Sequence, residues 1–308
     1  MAAVRERSHI LKKQGLISLG EAIVDYIALD SSNTTYERLL GGATVNVAVG
    51  ISRNGIPSSY LCKLGMDETS KFVEGELKKE HVDLSFCSYE PNKNICSVYI
   101  HLNQHGERYF HSYVNETPDE WITSAELDKR LFNTSKIFYF GSGTLFHPIA
   151  RNTTEQALQY AKEENLLIAF DTNIRLKRWE NENQCRETIL SYVQKADIVK
   201  MTEDELLFLT ETDTLEKGLE QLVKMEIPFL FITKGKYGAY AIHDDMRIHV
   251  PGFVVKAVDT TGAGDAFMAA LLSCFHDRGI PKNEAELTEY TEFANKAGAI
   301  SATKLGSL

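Results

Sequence analysis

Asp259-Thr260-Thr261-Gly262-Ala263-Gly264-Asp265-Ala266-Phe267 is the stretch that decides the fold of this chain. We expect a short apolar strand over 253–258 before it and an apolar helix after it. Two glycines at such a turn let the backbone approach a ligand closely, and the unpaired N–H groups of the helix start favour a phosphate there. Asp265 follows the second glycine, where a carboxylate can take a proton from a hydroxyl. This combination is typical of phosphoryl transfer; the alternative is a glycine turn with a capping Asp.

A second glycine pair opens the segment Gly41-Gly42-Ala43-Thr44-Val45-Asn46. Its backbone is accessible because neither glycine has a Cβ atom. Asn46 falls in the first turn of the predicted helix and offers a donor and an acceptor, and Asp25 comes from the preceding strand. An acid, an amide and bare backbone together suit a polyhydroxyl ligand. The alternative is a tight turn with a capping Asn.

Composition and charge narrow the class of protein. The chain has 308 residues, of which 43% are hydrophobic, and a formal net charge of −10. These values fit one large α/β domain or two smaller ones, and we expect a single domain over residues 1–308. Basic residues cluster only over 5–13, so nucleic acid is not an expected partner. No apolar run approaches the length of a membrane span, so no membrane association is expected.

The ends and the cysteines of the chain suggest a compartment. Residues 1–14 are polar and charged and lack the apolar core of a signal peptide. The five cysteines are widely spaced and show no C-x-x-C zinc pattern. Free thiols in a reducing environment are the simplest explanation, so we expect a cytoplasmic protein.

Strand and helix patterns alternate along most of the chain. Alternation of this kind predicts a mostly parallel sheet with helices on both faces. The predicted strands are 16–20, 59–64, 136–140, 166–170, 198–201 and 228–233, and the predicted helices are 45–53, 69–80, 148–164, 183–195, 203–209 and 215–225.

Two segments, approximately 21–40 and 90–114, interrupt this alternation. Within them, 23–29, 36–40, 95–102 and 108–112 read as strands, the last two joined by a hairpin turn at 103–106. They predict a small antiparallel sheet that covers a site as a lid; the alternative is an edge decoration. Its apolar residues need a partner surface, and a symmetric homodimer through the lid would supply one.

The two glycine motifs closely resemble those of the ribokinase-like carbohydrate kinases of the phosphofructokinase-B type. GGATVNVAVGISRNG (41–55) resembles the first signature of that family and DTTGAGDAF (259–267) the second, and the resemblance extends from Leu16 to Gly306. It implies a three-layer α/β sandwich, with a mostly parallel central sheet flanked by helices and a small antiparallel β lid. It also implies a sugar site under the lid and ATP in a groove beyond it.

The resemblance assigns roles to individual residues. It makes Asp265 the base that deprotonates the sugar hydroxyl, and it makes the amides of Gly262, Ala263 and Gly264 the groups that stabilise the transferring phosphoryl. The sugar-binding positions of the family are matched by Asp25, Gly41, Gly42 and Asn46. The nucleotide-binding positions are matched by Thr233, Gly235 and Gly238 in a turn and by Asn295 beside the adenine.

Two further motifs indicate a branch of the family. Asp171-Thr172-Asn173-Ile174-Arg175, with Trp179 after it, resembles the D-x-N-x-R…W stretch of fructokinases and 2-keto-3-deoxygluconate kinases. Arg175 would reach phosphate or substrate there; the alternative is a surface ion pair. The magnesium-associated N-x-x-E of the family is matched by 200–203, with Lys200 in place of Asn, as is frequent in fructokinases. Glu203 would contact magnesium through water, or would simply be a first-turn acid of its helix.

The lid departs from the branch. Gly106-Glu107-Arg108-Tyr109-Phe110 resembles its G-E-R-x-F stretch, but Tyr113 is followed by Val114 where an Arg is usual. A sugar acid would use that Arg to pair its carboxylate, so its absence argues against 2-keto-3-deoxygluconate. It also weakens the match to fructose, but a neutral ketohexose stays the expected substrate. The expected reaction is ATP + D-fructose → fructose 6-phosphate + ADP with magnesium, and a need for a monovalent cation stays open.

Other functions fit the sequence less well. A 2-keto-3-deoxygluconate kinase or another small-sugar kinase is the nearest alternative, and the family also contains nucleoside and vitamin kinases. A catalytically inactive sugar-binding regulator is disfavoured by the retained Asp265. A dinucleotide-dependent oxidoreductase is disfavoured because no G-x-G-x-x-G follows the first strand.

Overall fold

Strands and helices alternate along the chain, as the apolar pattern predicts. The computed structural model describes residues 13–114, 121–304 and 306, so the expectation about a signal peptide at 1–14 lies almost wholly outside the described residues. Within the described ranges, no helix has the length and apolar character needed to cross a membrane. The elements, in chain order, are β1 (Leu16–Leu19), β2 (Ile23–Ala28), β3 (Tyr36–Gly41), α1 (Ala43–Arg53), β4 (Ser58–Leu61), β5 (Lys63–Leu64), α2 (Glu68–Lys79), β6 (Ser88–Tyr89), β7 (Cys96–Leu102), β8 (Arg108–Val114), α3 (Lys129–Thr134), β9 (Ile137–Gly141), α4 (Pro148–Glu163), β10 (Leu167–Asp171), α5 (Glu182–Val193), β11 (Ile198–Thr202), α6 (Glu203–Thr210), α7 (Leu215–Val223), β12 (Phe229–Thr233), β13 (Ala239–His243), β14 (Met246–Val250), α8 (Ala263–Arg278) and α9 (Glu284–Ser301).

The central sheet has eight strands in the order β14-β13-β12-β11-β10-β9-β1-β4. The pairings from β4 to β12 are parallel, and β13 and β14 extend the sheet as an antiparallel hairpin at one edge. The carboxyl ends of the parallel strands therefore lie along one edge of the sheet, where open α/β sheets bind their ligands.

Apolar side chains cover both faces of this sheet. On β9, Ile137 and Tyr139 pack on one face with α1, α8 and α9, whereas Phe138 and Phe140 pack on the other with α3 to α7. This alternation follows from the two-residue repeat of a strand. The result is the predicted three-layer sandwich of helices, sheet and helices.

A second sheet, which we call the lid sheet, has the order β3-β2-β7-β8. Its hairpins β2–β3 and β7–β8 are antiparallel, and β2 and β7 join them by a parallel pairing. Its four strands fall in the two predicted segments, 21–40 and 90–114. A separate apolar cluster, including Val24, Leu40, Ala48 and Leu77, anchors the sheet to α1 and α2.

The strand expected over 253–258 is wrong. These residues form no strand, and Val254, Val255 and Val258 are exposed by 103%, 40% and 58%. Pro251 and Gly252 end the pairing after β14, because proline has no N–H to donate to a ladder. The segment instead crosses from the sheet edge to the start of α8, and Val258 N–H donates to the carbonyl of Ala302 at 2.8 Å.

Two smaller differences affect the sheet edges. The strand expected over 59–64 is divided at Cys62 into β4, in the central sheet, and β5, which pairs with β6 in a small separate sheet. The hairpin of β13 and β14 was not predicted. A signal was present in β14, where the exposed Arg247 and His249 alternate with Met246, Ile248 and Val250.

Candidate active site

The two glycine motifs, far apart in sequence, meet in space. Gly262 precedes α8 with φ 77°, a left-handed conformation that favours glycine, and Asp265 lies in the first turn. Gly42 precedes α1 with φ 107°, and Asn46 lies near the start of that helix, which begins at Ala43. The Asn46 side-chain amide donates a hydrogen bond to Asp265 Oδ2 at 2.7 Å. The carboxylate of one motif is thus held by the amide of the other.

A cavity of about 210 Å³ lies where the carboxyl edge of the central sheet meets the lid sheet. Its volume suits one small ligand rather than a large one. Six predicted site residues line it, namely Asp25, Gly42, Asn46, Arg175, Gly262 and Asp265. Aromatic walls come from Tyr113, Trp121, Phe146 and Trp179. Polar groups among aromatic rings form the kind of surface that binds a sugar.

The carboxyl group of Asp265 has a perturbed acidity. Desolvation raises its pKa, and the Asn46 hydrogen bond and the charges of Lys200 and Arg175 only partly oppose this rise. A base with a raised pKa retains a proton more readily at neutral pH than an ordinary carboxylate does. Asp265 therefore presents to the cavity a carboxylate that is a stronger base than an exposed one.

Asp25 presents a second carboxyl group to the cavity. Burial and the nearby charge of Asp259 raise the pKa of Asp25 to about 6. A Cβ atom on Gly41 would come within 3.0 Å of Asp25 Oδ2, so Gly41 leaves the room that this carboxyl group occupies. Asp25 and Gly41 thus shape one wall of the site together.

A buried ion pair lies behind the glycine loop. Lys200 Nζ is 3.1 and 3.0 Å from the two carboxylate oxygens of Asp171, and both side chains are buried. Burial is the main reason that the pKa of Asp171 rises, to about 6. Lys200 Nζ also lies 3.0 Å from the position that a Cβ atom on Gly264 would take. Lys200 therefore places a buried cation, paired with Asp171, next to Gly264 of the glycine loop.

Neither member of this pair was chosen as a site residue from the sequence. The signal was their placement, because Asp171 ends β10, Lys200 lies in β11 and the two residues are partners in register. Neighbouring strand ends of this kind bring side chains to the same part of the edge.

Glu205, rather than Glu203, joins the site loops. Its carboxylate accepts from Ile174 N–H at 2.6 Å, Thr172 Oγ1 at 3.0 Å and Thr202 N–H at 2.8 Å. It thereby fastens loop 171–175 to the start of α6. The signal that sequence reasoning missed is the capping box T-x-x-E. Glu203, the predicted metal contact, lies 3.0 Å from Lys234 Nζ.

The predicted nucleotide residues lie outside the cavity lining. Thr233 ends β12 beside Thr202, and Gly235 and Gly238 have φ of 53° and 93° in the turn that follows. A side chain on Gly238 would meet the Val250 carbonyl oxygen at 2.1 Å, so this position requires glycine. The Asn295 amide donates to the carbonyl of Val250 at 3.0 Å and thus supports the end of β14.

Arg175 takes an exposed position at the cavity wall. Its Nη1 donates to the Ile174 carbonyl at 3.2 Å, and its charge acts on Asp265. Arg175 therefore places a positive charge at the wall of the cavity that Asp265 also lines.

The fold and this site define a kinase of carbohydrates. Residues 13–308 match the model of the pfkB family carbohydrate kinases. The chain belongs to this family, and it is an ATP-dependent sugar kinase. It is 35% identical to fructokinase-2 of Oryza sativa subsp. japonica over 300 residues, which cover 95% of this chain and 89% of the relative.

Solved structures give the same result. The fructokinase of Vibrio cholerae O395, in its fructose-, ADP- and calcium-bound form, superposes with a TM-score of 0.82 at 30% identity and covers 97% of this chain and 95% of its own. The aminoimidazole riboside kinase of Salmonella enterica, complexed with aminoimidazole riboside and an ATP analogue, gives a TM-score of 0.83 at 26% identity, covering 95% and 94%. The prediction of a ribokinase-like fold and a carbohydrate kinase is confirmed.

Proposed function

We propose that the protein is a fructokinase that converts ATP and D-fructose into ADP and fructose 6-phosphate. The observation that carries this proposal is the Asn46–Asp265 hydrogen bond inside a cavity for one small polar ligand, beside the glycine loop 262–264. The fructokinase names of its relatives and the fructose held by the Vibrio cholerae enzyme support fructose as the sugar.

The residues divide into two groups in this proposal. Asp265 accepts the proton of the sugar hydroxyl, which then attacks the terminal phosphorus of ATP. The amides of Gly262, Ala263 and Gly264 donate to the oxygens of the transferring phosphoryl, supported by Lys200 beneath them. The sugar is bound by Asp25, Gly41, Gly42, Asn46 and Arg175.

ATP would lie beyond the glycine loop, along the ends of β11 and β12. The nucleotide contacts in this proposal are Thr233, Gly235, Gly238 and Asn295. Each contributes backbone or an amide rather than charge, so the phosphates would rely on the glycine loop and Lys200.

Magnesium fits this site as a companion of ATP rather than as a resident ion. The described ranges contain no group of three or more His, Cys, Asp or Glu side chains that could hold a metal. Magnesium in kinases is commonly bound by substrate phosphates and water with one or two carboxylates. When bound, it would neutralise phosphate charge, with Glu203 as a contact through water in exchange for its Lys234 partner.

We also propose that the protein forms a homodimer through the lid sheet. Phe110 and Tyr113 of β8 are exposed by 51% and 39%, and their ring centres lie 4.9 Å apart. A dimer would bury this aromatic surface. Sedimentation equilibrium should give twice the chain mass, and Phe110→Lys should shift it toward the monomer. A monomeric unmodified protein at micromolar concentration would contradict this proposal.

The compartment is a separate proposal. All five cysteines are free, which fits the reducing cytoplasm. Fractionation of cells against marker proteins tests this assignment, and recovery with an oxidising compartment would refute it.

A substrate panel tests the function. ADP release is measured with ATP and magnesium in the presence of fructose, 2-keto-3-deoxygluconate, ribose, tagatose 6-phosphate, fructose 1-phosphate or adenosine. We expect the largest kcat/KM with fructose. If another compound of the panel gives the largest kcat/KM, the protein is still a kinase but its substrate is that compound. No activity with any compound would favour the sugar-binding regulator.

A further inference from the structure

Arg178 is a cavity-lining residue that the sequence motifs did not single out. It follows loop 171–175 and precedes Trp179, and its guanidinium lies 4.2 Å from the ring centre of Phe146. The ring of Tyr113, on the lid sheet, is 6.0 Å away. Arginine stacks well on aromatic faces because its guanidinium is planar and weakly hydrated. The two rings therefore hold this cation in one place between the lid and the body.

A buried acid and a second cation adjoin Arg178. Glu21 Oε2 lies 3.8 Å from an Arg178 nitrogen, and Glu21 Oε1 lies 3.3 Å from Lys93 Nζ. The side chains of Glu21 and Lys93 are only 9% and 2% exposed. Glu21 and Arg178 line the cavity, whereas Lys93 does not. Lys93 thus contacts Glu21 from behind the cavity wall, and Arg178 contacts it from within the cavity.

We propose that Arg178 binds the substrate and determines which sugar is accepted. Its guanidinium donates to a sugar hydroxyl other than the one that reacts, and Glu21 beside it offers an acceptor. Vicinal hydroxyls of a sugar match such a pair, because each can donate and accept. This inference rests on the proposed function and deepens it.

The position of Arg178 also explains how the site can lack an arginine after Tyr113 in the lid sheet. The resemblance to the fructokinase branch implies an Arg after Tyr113, where this chain has Val114. Arg178 provides a guanidinium beside the same tyrosine from loop 171–179 instead. The site therefore retains an arginine near Tyr113, although the lid strand does not supply it.

The first test compares two arginine variants. Arg178→Met should lower kcat/KM for fructose by roughly ten- to a hundredfold, mainly through KM, because a hydrogen bond from a charged donor is lost. The KM for ATP and the Tm should change little. The matched control is Arg186→Met, since Arg186 also stacks on a ring, that of Phe208 at 4.8 Å, and pairs with an acid, Glu211 at 3.5 Å, outside the cavity. Equal losses in both variants would overturn the proposal.

The second test separates contact with sugar from support of the lid. Fructose analogues that each lack a single hydroxyl group are assayed with the unmodified enzyme and with Arg178→Met, and the kcat/KM values are compared. If Arg178 donates to one hydroxyl, removing that hydroxyl should be costly in the unmodified enzyme and nearly neutral in the variant. If the variant loses the same factor on every sugar, Arg178 acts only through the fold and the proposal is wrong.

The two proposals fail in different ways. If the unmodified enzyme does not phosphorylate fructose, the proposed function fails, and the same cycle is run on deoxy forms of the sugar that the panel identifies. If the effects of Arg178→Met and of hydroxyl removal on kcat/KM are then independent for the best substrate, the proposed role of Arg178 is refuted while the kinase activity stands.

Discussion

Asp265→Asn is expected to reduce kcat by roughly 10²- to 10⁴-fold, because the proton acceptor of the reaction is lost. Asparagine has nearly the same shape, and its side-chain oxygen can still accept the hydrogen bond from Asn46, which is 2.7 Å long in the unmodified protein. The fold and the binding of ATP should therefore be preserved. The measurement is turnover at saturating sugar and ATP, with Tm and ATP affinity measured on the same preparation.

A suitable control is Asp67→Asn. Asp67 also stands at a helix start, where it accepts from Ser70 N–H before α2, and asparagine is an equally good cap. It does not line the cavity. Asp67→Asn should have the same turnover as the unmodified enzyme. If the turnover of Asp265→Asn also stays within tenfold of the unmodified enzyme, Asp265 is not the base.

Gly264→Val is expected to reduce kcat by at least about a hundredfold, the usual effect of losing one donor of an anion hole. A Cβ atom at this position would lie 3.0 Å from Lys200 Nζ. The lysine cannot move away cheaply, because Asp171 holds it in a buried ion pair. The substitution should therefore displace both the loop amides and the cation beneath them. Turnover with saturating substrates gives the result.

The control for this variant is Gly75→Val in helix α2. A Cβ atom on Gly75 would meet nothing within 4 Å, so the same substitution should leave activity intact. Tm values for both variants show whether the protein is still folded. A folded and active Gly264→Val enzyme would mean that the transferring phosphoryl lies away from residues 262–264.

Much of the fold could be predicted because buried parallel strands leave a clear signal. β9 and β10 are short apolar runs that precede amphipathic helices, and their bounds were predicted to within about a residue, closer than such patterns usually allow. The segment 253–258 has the same apolar composition but no neighbouring strand to pair with. Composition does not reveal whether a partner exists, and the prediction failed there.

Site residues could be predicted only where they belong to short sequence motifs. The glycine motifs suggested the residues around Asp265 and Asn46, but the hydrogen bond between these two side chains depends on how α1 packs against α8. Glu205 lies in the first turn of α6 and Arg178 in the turn after β10, and the packing of the whole sheet sets both positions. No spacing in the sequence places Arg178 beside Tyr113.

Phosphorus NMR of the product tests the central claim most directly. The unmodified enzyme is incubated with ATP, magnesium and fructose, and the spectrum is compared with authentic fructose 6-phosphate and fructose 1-phosphate. The account predicts ADP and fructose 6-phosphate in equal amounts, formed only when fructose is present. ADP without a sugar phosphate, or no consumption of ATP with fructose, would contradict it.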